Sequence, residues 1–175
     1  MARRQIARLA SLASLLVTLT SAAAWAGDAP VTVIFAHPEK YTDLRLSCVS
    51  RDTDARSLMA DLEAFLTATA APLVPAGQRL EITVTNVDMA GDIESWRGPG
   101  RCDVRVMKDT YPPRIDLTFR LLDGEGKEIR AGTRRLRDSN YLVNAGPSSS
   151  IDHLRYEKAL LGDWVRRELG RGTRS

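Results

Sequence analysis

The 175-residue chain carries 25 Lys and Arg residues against 22 Asp and Glu residues, but the excess of positive charge lies at one end. Three arginines and no acidic residue fall within residues 1–26, so residues 27–175 are formally neutral. This neutrality argues against nucleic acid and anionic membranes as partners, because both attract an excess of positive charge. The neutral portion is long enough for one domain with a substantial core.

Residues 1–26 have the three-part pattern of a secretory signal peptide. The three arginines precede an apolar run of about 16 residues, and Ala24-Trp25-Ala26 supplies a small-x-small cleavage motif. We therefore predict a signal peptide at 1–26, a single domain at 27–175 and a periplasmic location. The run is shorter than the roughly 20 residues that cross a bilayer, so stable membrane insertion is not expected. An uncleaved inner-membrane anchor is the alternative.

Cys48 and Cys102 are the two cysteines of the chain. In an oxidising compartment such a pair predicts a disulfide, with two unpaired thiols as the alternative. Closing a loop of about 55 residues would stabilise the fold by about 4 kcal/mol. Two distant cysteines do not make a zinc site, which needs four ligands at short paired spacings. We expect no metal and no cofactor.

Apolar periodicity in the first half of the chain predicts a strand, a helix and two more strands. The first strand covers residues 31–35 and ends at His37-Pro38, since proline cannot donate to a sheet ladder. A helix runs from 54 to about 69, and alternating residues predict strands at 79–88 and 103–106.

The second half of the chain predicts a hairpin followed by a helix. Alternation continues through 114–122, and Asp123-Gly124 is typical of a tight reversal, so 127–137 should pair antiparallel with 114–122. A helix over 151–169 completes the order β-α-β-β-β-β-α. This order favours an α+β two-layer domain, with a mostly antiparallel sheet of about five strands and two helices on one face.

The sequence has none of the common catalytic or phosphate-binding motifs, so no catalytic residue is assigned. Polar residues at the ends of predicted strands are the better candidates, because side chains from separate segments can converge there. The candidate ligand-binding residues are Tyr41, Asp43, Asp88, Arg114, Asp138 and Tyr141. Carboxylates around one Arg and two phenols suit a small polar molecule or a partner's backbone better than a soft metal. A structural ion pair between an Asp and Arg114 is the alternative.

Six short segments occur in a characteristic order along the chain. They are 38–43 (PEKYTD), 87–91 (VDMAG), 105–108 (RVMK), 111–115 (YPPRI), 136–141 (LRDSNY) and 156–164, which begins YEK and ends DW. Together they resemble the exported proteobacterial family called domain of unknown function 3016, over nearly all of residues 27–175. The resemblance implies an exported single-domain protein and brings no mechanism with it. Neither cysteine belongs to the family pattern, so the disulfide rests on the compartment argument.

Three functions are compatible with these features. The first is a non-enzymatic periplasmic binding or interaction domain, such as an envelope accessory protein, whose partner is an envelope protein or a small polar ligand. An antiparallel sheet can leave one face or edge free for such a partner. The second is a periplasmic hydrolase with an unrecognised carboxylate site, and the third is a mainly structural envelope component.

Overall fold

The computed structural model describes residues 29–48, 52–94, 96, 102, 104–144 and 152–170, which form one sheet backed by helices. The α+β prediction is confirmed. The elements are β1 (Val31–Phe35), α1 (Asp52–Ala70), β2 (Arg79–Asp88), β3 (Arg114–Leu122), β4 (Glu128–Arg137), the short α2 (Tyr141–Asn144) and α3 (Arg155–Leu169).

The four strands lie in the order β1-β2-β3-β4, so the sheet is mostly antiparallel, as predicted. β1 is parallel to β2, and α1 supplies the crossover that parallel neighbours require. β3 and β4 form the predicted hairpin. Asp123 closes its turn by accepting hydrogen bonds from the amides of Glu125 and Lys127, and Gly126 adopts a φ of 83° that favours glycine.

The predicted strand at 103–106 is wrong. In the described part of this segment, Val106 makes a single antiparallel bridge to Asp92 and does not join the sheet. Val104 is half exposed, so the alternation does not mark a buried face here. Arg105, which the alternation placed on a solvent-facing side, turns inward to an ion pair instead. The last helix begins at Arg155 rather than at 151, so it is shorter than predicted.

The core lies between the sheet and the two long helices. α1 buries Leu58, Leu62 and Leu66, which recur every four residues and so share one helix face. On α3, Trp164 meets Phe119 of β3 edge-to-face, with ring centroids 5.8 Å apart. None of the described helices is long and apolar enough to span a bilayer.

Cys48 and Cys102 form a disulfide, with their Cα atoms 5.1 Å apart. The predicted bond is therefore present. The amide of Cys48 also donates to the carbonyl of Cys102 at 3.0 Å. The bond ties the chain that follows β1 to the long connection between β2 and β3, and both segments contribute to the site described below.

Removal of this bond should destabilise the protein substantially. Its two cysteines are 54 residues apart, and for a loop of this length the chain-entropy model gives about 4 kcal/mol. For a domain of this size we expect the melting temperature of the Cys48→Ser/Cys102→Ser variant to fall by about 10 °C. Calorimetry of both proteins with and without reductant checks this. Equal melting temperatures for the oxidised wild type and the double variant would contradict it.

Candidate functional site

A cleft of about 310 Å³ lies where β2 ends and β3 begins. Three segments form its walls: the chain after β1, the chain after β2 and the chain that leads into β3. We call it the acidic cleft, since three of its lining residues are aspartates. Its principal polar residues are Asp43, Arg45, Asp88, Asp92, Tyr111 and Arg114.

Asp43, which lines the acidic cleft, forms a buried ion pair with Arg105. The Arg105 Nη2 and Asp43 Oδ2 atoms are 2.9 Å apart, and both side chains are about nine-tenths buried. Arg105 also donates to the carbonyls of Arg45 (2.7 Å), Gly91 (3.0 Å) and Ala90 (3.3 Å). These bonds offset the desolvation of a buried guanidinium, which would otherwise be costly. Asp43 is therefore committed to holding the fold together.

The backbone around this pair is fixed by hydrogen bonds that extend the sheet by one position. The amide of Asp43 donates to Val87 O at 3.0 Å, and the amide of Met89 donates to Asp43 O at 3.1 Å. Gly91 follows with a φ of 77°, and a Cβ on it would lie 2.8 Å from the carbonyl oxygen of Val106. Only glycine adopts this positive φ readily and also leaves room for the Val106 carbonyl. The reversal of the chain after β2 therefore depends on Gly91.

Asp88 and Arg114 stand opposite each other on β2 and β3, at the mouth of the cleft. Their charged atoms are 3.8 Å apart, and the Arg114 side chain is half exposed. Burial raises the pKa of Asp88, and Asp43 and Asp92 add to the increase, while Arg114 and Arg105 oppose it. Asp88 is thus a more basic carboxylate than an exposed aspartate and is only weakly neutralised by its partner.

Tyr111 gives the cleft an aromatic wall. Its hydroxyl donates to Glu94 Oε1 at 3.0 Å, and Lys108 Nζ contacts the same carboxylate oxygen. The hydrogen bond to Glu94 is the main cause of a raised pKa for Tyr111, and burial adds to it. The phenol therefore stays protonated and acts as a donor.

Three of the six candidate residues lie outside the cleft, contrary to the predicted convergence. Tyr41 donates to Val84 O at 2.9 Å, and burial with the nearby Glu39 raises its pKa to about 12. Asp138 accepts from the Asn140 amide and the Asn144 side chain, so it stabilises the turn that leads into α2. Both side chains thus have partners within the fold, and neither lines the cleft.

Tyr141 also lies outside the cleft. It is almost fully buried, its hydroxyl donates to Lys108 O at 2.8 Å, and its ring packs edge-to-face on Tyr156. The structure therefore brings together Asp43, Asp88 and Arg114 only, and their role in binding stays a prediction.

Sequence reasoning missed Arg45, Asp92, Arg105 and Tyr111. Asp92 and Tyr111 lie between the predicted strands, and Arg105 lies in the segment that was wrongly predicted as a strand. Tyr111 directly precedes two prolines, Pro112 and Pro113, which fix the chain as it enters β3. That rigid approach could have drawn attention to the tyrosine.

The cleft carboxylates do not form a metal-binding cluster. Within the described ranges, no group of three or more His, Cys, Asp or Glu residues is close enough to hold an ion. His37 lies on an exposed turn with a φ of 55°, and its Nδ1 atom is 3.5 Å from a carboxylate oxygen of Glu39.

Glu157 connects α3 to the cleft wall from behind. Its side chain is fully buried, and its Oε1 atom accepts a hydrogen bond from the Ala90 amide at 2.6 Å. The Oε2 atom has no hydrogen-bond partner within the described residues. Burial is the main cause of a raised pKa for Glu157, since the charged form loses its hydration.

The sequence was compared with family models, curated proteins and solved structures. The family model described as "Protein of unknown function (DUF3016)" matches residues 29–167. The chain therefore belongs to this family, as its six segments suggested. Neither the curated proteins nor the solved structures contain a significant match.

The buried carboxyl of Glu157 should make stability depend on pH. Its folded-state pKa is raised above the ordinary value of 4.5, so the protonated form stabilises the fold fully below about pH 4.5. This stabilisation is lost as the pH rises through the raised pKa. We expect Glu157→Gln, which cannot ionise, to gain stability relative to the wild type as the pH rises.

Urea unfolding of both proteins between about pH 5 and about pH 8 measures this difference. Asp88 also has a raised pKa, but it is present in both proteins and cancels in the comparison. A difference in unfolding free energy that is constant across this range would show that Glu157 does not titrate as described.

Proposed function

We propose that this DUF3016 protein is an exported, non-enzymatic binding domain that acts in the periplasm as an envelope accessory protein. The observation that carries the proposal is the acidic cleft, in which carboxylates, a guanidinium and a phenol from three separate segments meet. Such a concave site with a few convergent polar groups is the usual form of a small-ligand site. The signal-peptide pattern and the disulfide support export to an oxidising compartment.

The ligand should present both hydrogen-bond donors and an acceptor. Asp88 and Asp92 offer carboxylate oxygens to donors, whereas the half-exposed Arg114 offers its guanidinium group to an acceptor. Arg45 is also about half exposed, but its Nε atom already donates to Asp43 Oδ1 at 3.1 Å. Asp43 is less accessible to a ligand, because it is about nine-tenths buried in its pair with Arg105. A small polar molecule, or a short stretch of a partner's backbone with its amides and carbonyls, has the required groups.

A hydrolase is the second candidate, and the raised pKa of Asp88 is the observation that favours it. Carboxyls with a raised pKa in a cleft are typical general acids and bases. Against this, the described residues of the cleft include no Ser, Cys or His, and of its two threonine hydroxyls that of Thr42 already donates to Asn86 Oδ1 at 3.2 Å. The two functions predict different results for Asp88→Asn, which removes the charge. A binding domain should lose its ligand, whereas a hydrolase should keep binding the ligand but no longer convert it.

Single Asp→Asn variants separate binding from structure. Immobilised wild-type protein is exposed to an envelope extract, and bound small molecules and proteins are identified by mass spectrometry. We expect one ligand recovered in stoichiometric amount by the wild type and reduced about tenfold by Asp88→Asn and by Asp92→Asn. Asp61→Asn is the matched control, because Asp61 is an exposed carboxylate on α1.

Thermal unfolding of the same variants completes the test. Asp88→Asn should cost at most about 1 kcal/mol, because its ion pair is partly exposed, whereas Asp43→Asn should cost about 3 kcal/mol. Equal loss of ligand in Asp61→Asn, or no ligand that depends on Asp88 and Asp92, would refute the proposal. Conversion of the ligand by the wild type, with binding retained but conversion lost in Asp88→Asn, would establish the hydrolase instead.

A further inference from the structure

We propose a second site, for a small molecule that carries a carboxylate or a phosphate group, on the face of the sheet opposite the helices. A depression of about 450 Å³ lies there across the ends of β2, β3 and β4. We call it the arginine groove. Its charged and amide side chains are Asn86, Asp88, Arg114, Asp116, Arg135 and Arg137.

The strand register arranges these side chains in two rows. Asp88, Arg114 and Arg137 are direct neighbours across the three strands, so two arginines stand opposite each other. Asn86, Asp116 and Arg135 form the next row. Side chains directly opposite on one sheet face have Cβ atoms about 5 Å apart, and like charges at that distance repel. Arg114 and Arg137 in opposite positions therefore lower the stability of the fold, so their presence needs an explanation other than stability.

Ion pairing accounts for the other arginines of β3 and β4 but not for these. Arg120 pairs with both Glu81 and Glu128 at 3.1 Å on the same sheet face. On the helix side, Arg130 and Arg134 both pair with Glu168.

By contrast, Arg135 and Arg137 form no ion pair within the described residues, and Arg114 has only its long contact with Asp88. Asp116 stands opposite Arg135 in the register but forms no ion pair with it in that part of the chain. Two guanidinium groups therefore remain available in the groove.

Guanidinium groups in such a concave site suit an oxyanion. Their planar N–H forks match the paired oxygens of a carboxylate or phosphate and can bind them bidentately. A bound anion between Arg114 and Arg137 would also remove the repulsion between them. The groove has the volume of a small-molecule site rather than an extended surface, which favours a free molecule over a membrane. β4 forms one edge of the sheet, so the ligand can enter from solvent.

Exposed arginines can also protect an edge strand against aggregation. That role needs charge anywhere along the edge, and it does not predict saturable anion binding. The proposed site predicts binding that depends on Arg135 and Arg137 specifically. It is separate from the proposed function of the acidic cleft, although Asp88 and Arg114 border both.

The test is a titration of the full-length mature protein with inorganic phosphate and with succinate, followed by amide NMR at constant ionic strength. We expect saturable shifts for amides of residues 114–116 and 135–137, and none with chloride. Arg135→Gln/Arg137→Gln should weaken both affinities about tenfold or more. Arg120→Gln, which alters a paired arginine on the same face, and Asp92→Asn in the acidic cleft should leave them unchanged.

Several outcomes would overturn the site. These are shifts that stay linear and equal those with chloride, an equal loss in Arg120→Gln, or binding only to phosphatidylglycerol vesicles with none to the soluble anions. The Arg135→Gln/Arg137→Gln variant should unfold at the same temperature as the wild type or a higher one, since it removes the repulsion between Arg137 and Arg114. A phosphate response that survives in this folded variant would equally refute the proposal.

Discussion

The buried ion pair between Asp43 and Arg105 is the contact on which the acidic cleft depends. Arg105 reaches from the β2–β3 connection to the Asp43 carboxylate and the Arg45 carbonyl in the chain after β1. It also donates to two carbonyls earlier in its own connection, those of Ala90 and Gly91. An arginine suits this position because it has five fixed donors and cannot lose its charge. Without it, the buried Asp43 carboxylate would be left with the half-exposed Arg45 as its charged partner, and three carbonyls would lose a donor. The contacts between the segments that form the cleft would therefore weaken.

This arrangement divides the acidic residues of the cleft between two tasks. Asp43 holds the fold through its buried ion pair, whereas Asp88 and Asp92 line the open volume in which we propose that a ligand binds. Glu157 supports the same wall from α3 through the Ala90 amide. The Cys48–Cys102 disulfide also joins the chain after β1 to the β2–β3 connection. These contacts add to the ion pair in fixing the walls of the cleft, as the proposed binding site would require.

The sequence predicted the sheet better than it predicted the site. The strands 79–88 and 114–122 were correct to the residue, because alternation is strict where one face of a strand is buried. The strand at 103–106 failed because two valines in an exposed connection alternate by chance with polar residues. Alternation cannot distinguish a charged side chain facing solvent from one that turns inward to a partner 62 residues away.

For the site, position at a strand end was informative for Asp43, Asp88 and Arg114, since the register of β2 and β3 places such ends together. It did not place Tyr41, Asp138 and Tyr141 in the same cleft. Their hydroxyl or carboxylate groups satisfy nearby backbone or side-chain partners, which is the commoner use of polar residues at such positions. Arg105 could not be assigned, because its role depends on three-dimensional contacts with no sequence periodicity.

Amide hydrogen exchange in Arg105→Gln tests most directly whether this ion pair holds the cleft together. The amides of Asp43, Met89 and Gly91 report on it, since each donates to a carbonyl in another part of the cleft wall. We expect these three to exchange about tenfold faster or more relative to Phe119 in the centre of β3, with Arg120→Gln as the matched control. Unchanged protection at the three sites, or an equal acceleration throughout the sheet, would contradict the account.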